Sequence, residues 1–214
     1  MQEDIKISTV TVGLIGTNCY IVYKENVEAT KEAIIFDPGD DAHKICNMVE
    51  KLDVKPVAIV LTHGHFDHIL ATNELASKYN INIYASKEEI ELLSDTKLNL
   101  SANYRRECVV NDVIYLEDNQ DIEIAGISIK TINTPGHTKG SMCYFIKDNN
   151  ILFSGDMLFR ESVGRTDFPT GNDRQIIDSL NNKLMKMDDC IKVYPGHGPD
   201  TTIGYERQNN VYVI

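Results

Sequence analysis

A chain of 214 residues is long enough for one domain with a sizeable core and no covalent staples. Its 42% apolar and 25% charged content is ordinary globular usage, which excludes disorder and fibrous repeats. The net charge of −11 argues against a nucleic-acid backbone or an anionic membrane as partner. The five cysteines (Cys19, Cys46, Cys108, Cys143, Cys190) include no C-x-x-C pair, which fits a reducing compartment better than a disulfide framework or a zinc knuckle. The acidic start Met1-Gln2-Glu3-Asp4 has neither a basic nor an apolar signal region, and the apolar runs are too short to cross a bilayer. A soluble, cytoplasmic protein whose residues 1–214 form a single domain is expected.

In chain order, Ile5–Val12, Asn18–Tyr23 and Ala33–Phe36 read as strands, the first two joined by a Gly-containing turn. Asp37-Pro38-Gly39 ends the third, and Asp40 or Asp41 is placed to N-cap a helix with Ile45, Met48, Val49 and Leu52 at 3.6-residue spacing. Val57–Leu61 is a continuous apolar run and predicts a central strand. Helices are predicted over 68–79 and 87–94, with a strand over 81–84 between them. Strands follow at 122–124, 127–132, 142–146 and 151–153, the last two joined by the turn Asp148-Asn149-Asn150. A helix over 173–187, a strand over 191–194 and a helix over 202–208 close the chain. Two β-rich halves, each followed by helices, suit a two-sheet sandwich with helices on both outer faces.

The chemistry concentrates in Thr62-His63-Gly64-His65-Phe66-Asp67-His68, directly after the central strand. Composition alone gives roughly 0.0004 H-x-H-x-D-H runs in such a chain, so chance is a poor explanation. Imidazole and carboxylate suit zinc, iron or manganese. Further donors follow other strands: His137 in Thr134-Pro135-Gly136-His137-Thr138, Asp156 in Ser154-Gly155-Asp156, and His197 in Tyr194-Pro195-Gly196-His197-Gly198. Seven donors exceed the four of a structural zinc site and point to two metals.

In this order the motifs resemble those of the metallo-β-lactamase-fold hydrolases, over nearly the whole chain. Gly164-Arg165-Thr166-Asp167-Phe168 with Pro195-Gly196-His197-Gly198-Pro199 is more narrowly similar to the small glyoxalase-II-like (hydroxyacylglutathione hydrolase-like) subgroup. The resemblance implies an α/β fold, a four-layer αββα sandwich of two mixed β-sheets flanked by helices. It implies that His63, His65 and His137 bind one metal, that Asp67, His68 and His197 bind a second, and that Asp156 bridges them. Two divalent ions are implied, zinc first, with iron, manganese or a mixed pair served by the same ligands. A bridging hydroxide would attack the carbonyl of a small thioester, the thiolate leaving with little protonation, and Asp67 would take the hydroxide proton. Arg165 stands where glyoxalase II has a Gly-Lys that meets glutathione, and is the candidate substrate contact. Only residues 198–214 follow His197, so the helical domain that completes the glutathione site in glyoxalase II is expected to be absent. The partner implied is a small-molecule thioester, with neither nucleic acid nor membrane, in a monomer or a dimer.

Persulfide dioxygenases share G-R-T-D-F and hold one iron on residues matching His63, His137 and Asp156, but they typically show P-A-H-D-Y where this chain has Pro195-Gly196-His197-Gly198-Pro199. The complete second donor set favours hydrolysis. A lactone or ester hydrolase needs the same ligands and stays open as an alternative. A true β-lactamase would need export, a flavodiiron reductase Glu at the second His position, and an RNA-processing member a basic exosite. Asp37 reads either as a turn residue or as a group that orients a metal-bound His. His43 reads as a surface side chain and Cys19 and Cys143 as small core residues. Tyr104, Arg105 and Arg106 read as solvated loop residues.

Overall fold

The structure is a computed structural model that describes residues 4–25 and 30–214; Met1–Glu3 of the acidic start lie outside them. Six strands in sequence order build the first sheet: β1 (Ile5–Val12), β2 (Thr17–Lys24), β3 (Glu32–Phe36), β4 (Lys55–Val60), β5 (Asn82–Ser86) and β6 (Val113–Leu116). β1 to β3 pair antiparallel and β3 to β6 parallel, so the sheet is mixed. The helices α1 (Ala42–Leu52), α2 (Phe66–Ile69), α3 (Thr72–Tyr79) and α4 (Ile90–Ser94) lie in the parallel crossovers. The second half supplies β7 (Asp121–Ile124), β8 (Ile127–Asn133), β9 (Met142–Ile146) and β10 (Ile151–Gly155). A small hairpin, β11 (Leu158–Phe159) with β12 (Ser162–Val163), follows. Then come α5 (Asp173–Asn182), β13 (Lys192–Pro195), β14 (Thr201–Thr202) and α6 (Ile203–Asn209). The second sheet runs β14-β13-β10-β9-β8-β7, with β10 and β13 parallel and the other neighbours antiparallel.

Period-two alternation sorts the side chains into three apolar layers. On the first sheet Ile21, Ile35, Ile59 and Leu61 face outward onto Ile45 and Val49 of α1 and Leu75 of α3. Their neighbours Val22, Ile34, Phe36 and Val60 face inward, against Ile129, Tyr144 and Phe153 of the second sheet. On that sheet's outer face Cys143, Leu152 and Val193 pack on Ile176 and Leu180 of α5 and Ile203 of α6. Phe36 stacks on Phe153 at 4.2 Å between ring centroids across the middle layer. The result is the αββα sandwich of two mixed sheets flanked by helices.

The predicted helix over 68–79 starts earlier, at Phe66, and is split. The Ala71 N–H donates to the Pro38 carbonyl and the Leu70 N–H is shared between the Phe66 and Gly39 carbonyls, so the turn after β3 interrupts the helix and holds α2 against itself. A Cβ on Gly39 would lie 1.6 Å from the Asp67 carbonyl oxygen, so only glycine permits this approach. The helix expected to Met187 breaks at Lys183 into a short 3-10 turn at 184–186. Asp41 occupies the N-cap position of α1 without capping it: its backbone is left-handed, and its carboxylate is bound by Gly13 N–H and Lys44. The strands β6, β11, β12 and β14 were not anticipated from the pattern; three of them are only two residues long.

Candidate metal centre

The donors collect where strands of both sheets end. Asp37 follows β3, His63 and His65 follow β4, and Asp67 and His68 lie on the short α2. His137 follows β8, Asp156 follows β10, and His197 follows β13. The two sheets are joined at this edge, where Asn18 N–H donates to the Gly196 carbonyl at 2.7 Å and Thr17 bridges to His197. Carboxyl ends of parallel strands thus deliver loops from both sheets to one place.

Three groups of donor atoms form there: His63, His65 and His137; His63, His68 and Asp156; and Asp67, His68 and His197. Within each group the atoms lie within 4.8 Å of one another. Asp156 stands between the outer two groups. Its Oδ1 is 3.4 Å from His68 Nε2, and its Oδ2 is 3.6 Å from both His137 Nε2 and His197 Nε2. All six His and Asp residues named from the H-x-H-x-D-H run and the His137 and Asp156 turns, together with His197, are therefore brought together.

The second nitrogen of each ring decides whether this constellation suits a cation. His68 Nδ1 donates to Asp37 Oδ2 at 3.0 Å, and His137 Nδ1 to the Arg165 carbonyl at 2.7 Å. His63 Nδ1 donates to Thr62 Oγ1 at 3.2 Å, and Thr62 Oγ1 in turn donates to Asp37 Oδ2 at 2.6 Å. For His63 and His137 the bond fixes a tautomer whose Nε2 lone pair points into the cluster, and for His68 it orients the ring so that a cation at Nε2 would take the place of a proton. His63 Nε2, His65 Nε2, His68 Nε2 and Asp156 Oδ1 are buried without any hydrogen-bond partner, and His65 Nδ1 lies 2.9 Å from His137 Nε2. Orphaned buried acceptors are costly unless something electrophilic meets them, so the donor set fits divalent metal.

The electrostatics agree. Burial first, then charge on His68, His137 and other neighbouring histidines, pushes His63 well below its ordinary range; burial and His137 push His65 down to about 3. Both therefore offer lone pairs at neutral pH. For His68 burial is outweighed by Asp67, Asp156 and Asp37, which raise it, and for His197 burial is outweighed chiefly by Asp67. Burial works against ionised Asp67 and Asp156 too, but His68 overrides it and holds both below the carboxylate range. Buried Asp37 and the largely buried Asp67 and Asp156 surround His68 and make a place that attracts positive charge.

A cleft of about 430 Å³ opens over the donors, walled by Phe66, Tyr104, Phe159 and Phe168, with Arg165 at its rim. Tyr104, Arg105 and Arg106 are exposed, as the sequence leads one to expect, but Tyr104 also lines the cleft, its ring stacked on Phe66 at 4.0 Å. Arg106 pairs with Asp40 rather than standing free. Arg165 lines the cleft, but its guanidinium makes two bonds to Asp167, at 2.7 and 2.6 Å, and lies over the Phe168 ring. Asp37 is more than a turn residue, since it holds both Thr62 and His68. Thr17, which donates to Asp67 Oδ2 at 2.9 Å, has no sequence signal, because it joins Asp67 from fifty positions away. Cys19 and Cys143 are buried and His43 is exposed. Among the described residues no helix is long and apolar enough to cross a membrane.

The family described as the metallo-beta-lactamase superfamily matches residues 12–197. The hydroxyacylglutathione hydrolase GloC of Haemophilus influenzae is 32% identical over 98% of each chain. Among solved structures, the B3 metallo-β-lactamase BLEG-1 superposes with a TM-score of 0.90 at 35% identity, covering 97% of this chain and 99% of its own. TTHA1623 in a di-iron-bound form does so with a TM-score of 0.83 at 31% identity, covering 96% and 100%. The chain belongs to the metallo-β-lactamase superfamily.

Proposed function

We propose that the protein is a dinuclear metal-dependent hydrolase of a small thioester, of the hydroxyacylglutathione type. His63, His65 and His137 would hold one ion, Asp67, His68 and His197 the other, and Asp156 both. The observation that carries this assignment is the set of buried acceptors without a partner, His63 Nε2, His65 Nε2 and Asp156 Oδ1, in a cluster where the outer ring nitrogens of His63, His68 and His137 are already engaged. A pair of divalent ions bound there supplies Lewis acidity: it lowers the pKa of a water toward neutrality and polarises an acyl carbonyl. Zinc, iron and manganese all accept this ligand set, and the di-iron form of TTHA1623 supports iron as well as zinc.

The chain's own residues orient and enclose. Asp37, Thr62 and the Arg165 carbonyl lock the imidazoles, so the lone pairs need no reorganisation when substrate arrives. Asp67, kept ionised by His68 and steadied by Thr17, serves the second set and takes a proton from the attacking water only transiently. Phe66, Tyr104, Phe159 and Phe168 shield the acyl group from bulk water. Arg165 contacts an anionic thiol carrier when its exposed pairing with Asp167 opens, an exchange of small cost for a solvent-screened pair. The substrate partner is thus a small molecule, and the cytoplasm is the compartment proposed.

The 0.90 superposition on BLEG-1 favours a second reading, hydrolysis of a lactam or lactone ring at the same centre. The test is hydrolysis of S-D-lactoylglutathione by zinc- or iron-loaded protein, run beside a chromogenic cephalosporin. Thioester turnover without ring opening is expected. Ring opening without thioester turnover would establish the second reading, and oxygen uptake with glutathione persulfide in place of either would replace both with an oxygenase.

A further inference from the structure

Glu89 lies in the charged run Lys87-Glu88-Glu89 that opens the helix predicted over 87–94, and it is 1% exposed. It ends the 3-10 turn that leads from β5 into α4, and its carboxylate has partners on two separate loops. Oε2 accepts the Gly64 N–H at 2.7 Å. Oε1 accepts the Gly140 N–H at 2.8 Å and the Thr138 hydroxyl at 2.7 Å. Gly64 lies between His63 and His65; Thr138 directly follows His137. One carboxylate therefore ties the first-sheet loop that carries two histidines to the second-sheet loop that carries the third.

The approach is close on the second side. A Cβ on Gly140 would lie 2.6 Å from Glu89 Oε1 and 2.7 Å from Glu89 N, so glycine is what lets this loop reach the carboxylate. Ser141 Oγ, 2.7 Å from Thr138 Oγ1 and accepting the Thr138 N–H at 3.0 Å, keeps the hydroxyl aimed. A buried carboxylate is an expensive way to fill space, since a leucine packs there without desolvating a charge. What the carboxylate adds is several acceptor positions that require both loops at once.

We propose that Glu89 is a positioning residue which sets the spacing of the His63, His65 and His137 donors, and through it the affinity of that one metal site. It touches none of the three imidazoles. The inference rests on the two-ion assignment above. The other set has its own supports, Asp37 on His68 and Thr17 on Asp67, and is independent of Glu89.

The test is zinc binding in competition with a graded series of chelators, comparing wild type with Glu89→Gln. The amide keeps the shape but turns one acceptor oxygen into a donor facing an N–H or the Thr138 hydroxyl. One of the two zinc ions is expected to bind about 10–100-fold more weakly, the other unchanged. In the same variant the imidazole nitrogen resonances of His63, His65 and His137 should move to metal-free positions at limiting zinc, while those of His68 and His197 stay bound. Thr138→Val should show the same selective loss in milder form, and Thr138→Ser should restore it; this pair decides the matter if Glu89→Gln does not fold. Folded variants that keep both ions at wild-type affinity, or weaken both equally, would overturn the clamp while leaving the two-ion assignment standing. A wild type that binds no zinc would overturn that assignment and the clamp with it.

Discussion

At the scale of single residues, His63, His68 and His137 each have one ring nitrogen committed outward, while His65 Nδ1 faces His137 Nε2 at 2.9 Å inside the cluster. The burial of these rings has a consequence for acid stability. Without metal, His65 is pushed down to about 3 and His63 in the same direction, by burial first and then by neighbouring histidine charge. Unfolded, both titrate near about 6.5. Below that value the unfolded chain binds protons that the folded chain refuses, so stability falls as pH falls through the window down to the folded pKa. His68 and His197 have the opposite sign: raised in the fold, their contribution is complete below about 6.5 and is lost as pH rises through their raised values. Between about pH 6 and pH 4.5 the acid slope of this cluster therefore belongs to His63 and His65. Urea unfolding of chelator-treated protein should show His65→Gln flattening that slope by about 1.4 kcal/mol per pH unit. An unchanged slope would mean that His65 is already protonated in the folded chain.

At the scale of elements, strand ends and helix starts aim the donors. The turn that carries His137 is held by the start of α5: Asn172 N–H donates to the Gly136 carbonyl at 2.8 Å, and the Asn172 side chain caps the helix by accepting the Gln175 N–H at 3.0 Å. Asn172→Ala should lower stability by about 1 kcal/mol, seen as a shifted urea midpoint at constant m-value; no shift would mean that the cap contributes nothing. The long elements were legible in sequence because apolar periodicity is strong in them, as in β1, β4, α1 and α5. The interruption at Leu70 and Ala71 was not, because it is imposed by bonds to Pro38 and Gly39 from another part of the chain. The two-residue strands carry no period at all. Asp41 misled for a related reason: its type is that of an N-cap, but a left-handed backbone and the Gly13 N–H gave its carboxylate other work.

At the scale of the whole molecule, two sheets meet face to face and their carboxyl-terminal edges bring seven donors together from positions 63 to 197. The donors themselves were readable, since H-x-H-x-D-H and three glycine-bearing turns are local patterns. The groups that steady them were not, except for the open question of Asp37. Thr17, Glu89 and the Arg165 carbonyl act across 25 to 51 positions of sequence and only the fold brings them to the site. Tyr104 likewise reaches the cleft through a stack on Phe66 that spacing alone does not predict.

The central claim is a pair of metal sites, and counting metal tests it most directly. Protein purified without added metal, then equilibrated with zinc and freed of excess, should hold two ions per chain by elemental analysis, and His68→Ala should hold one. One ion per chain in the wild type, unchanged by His68→Ala, would contradict it.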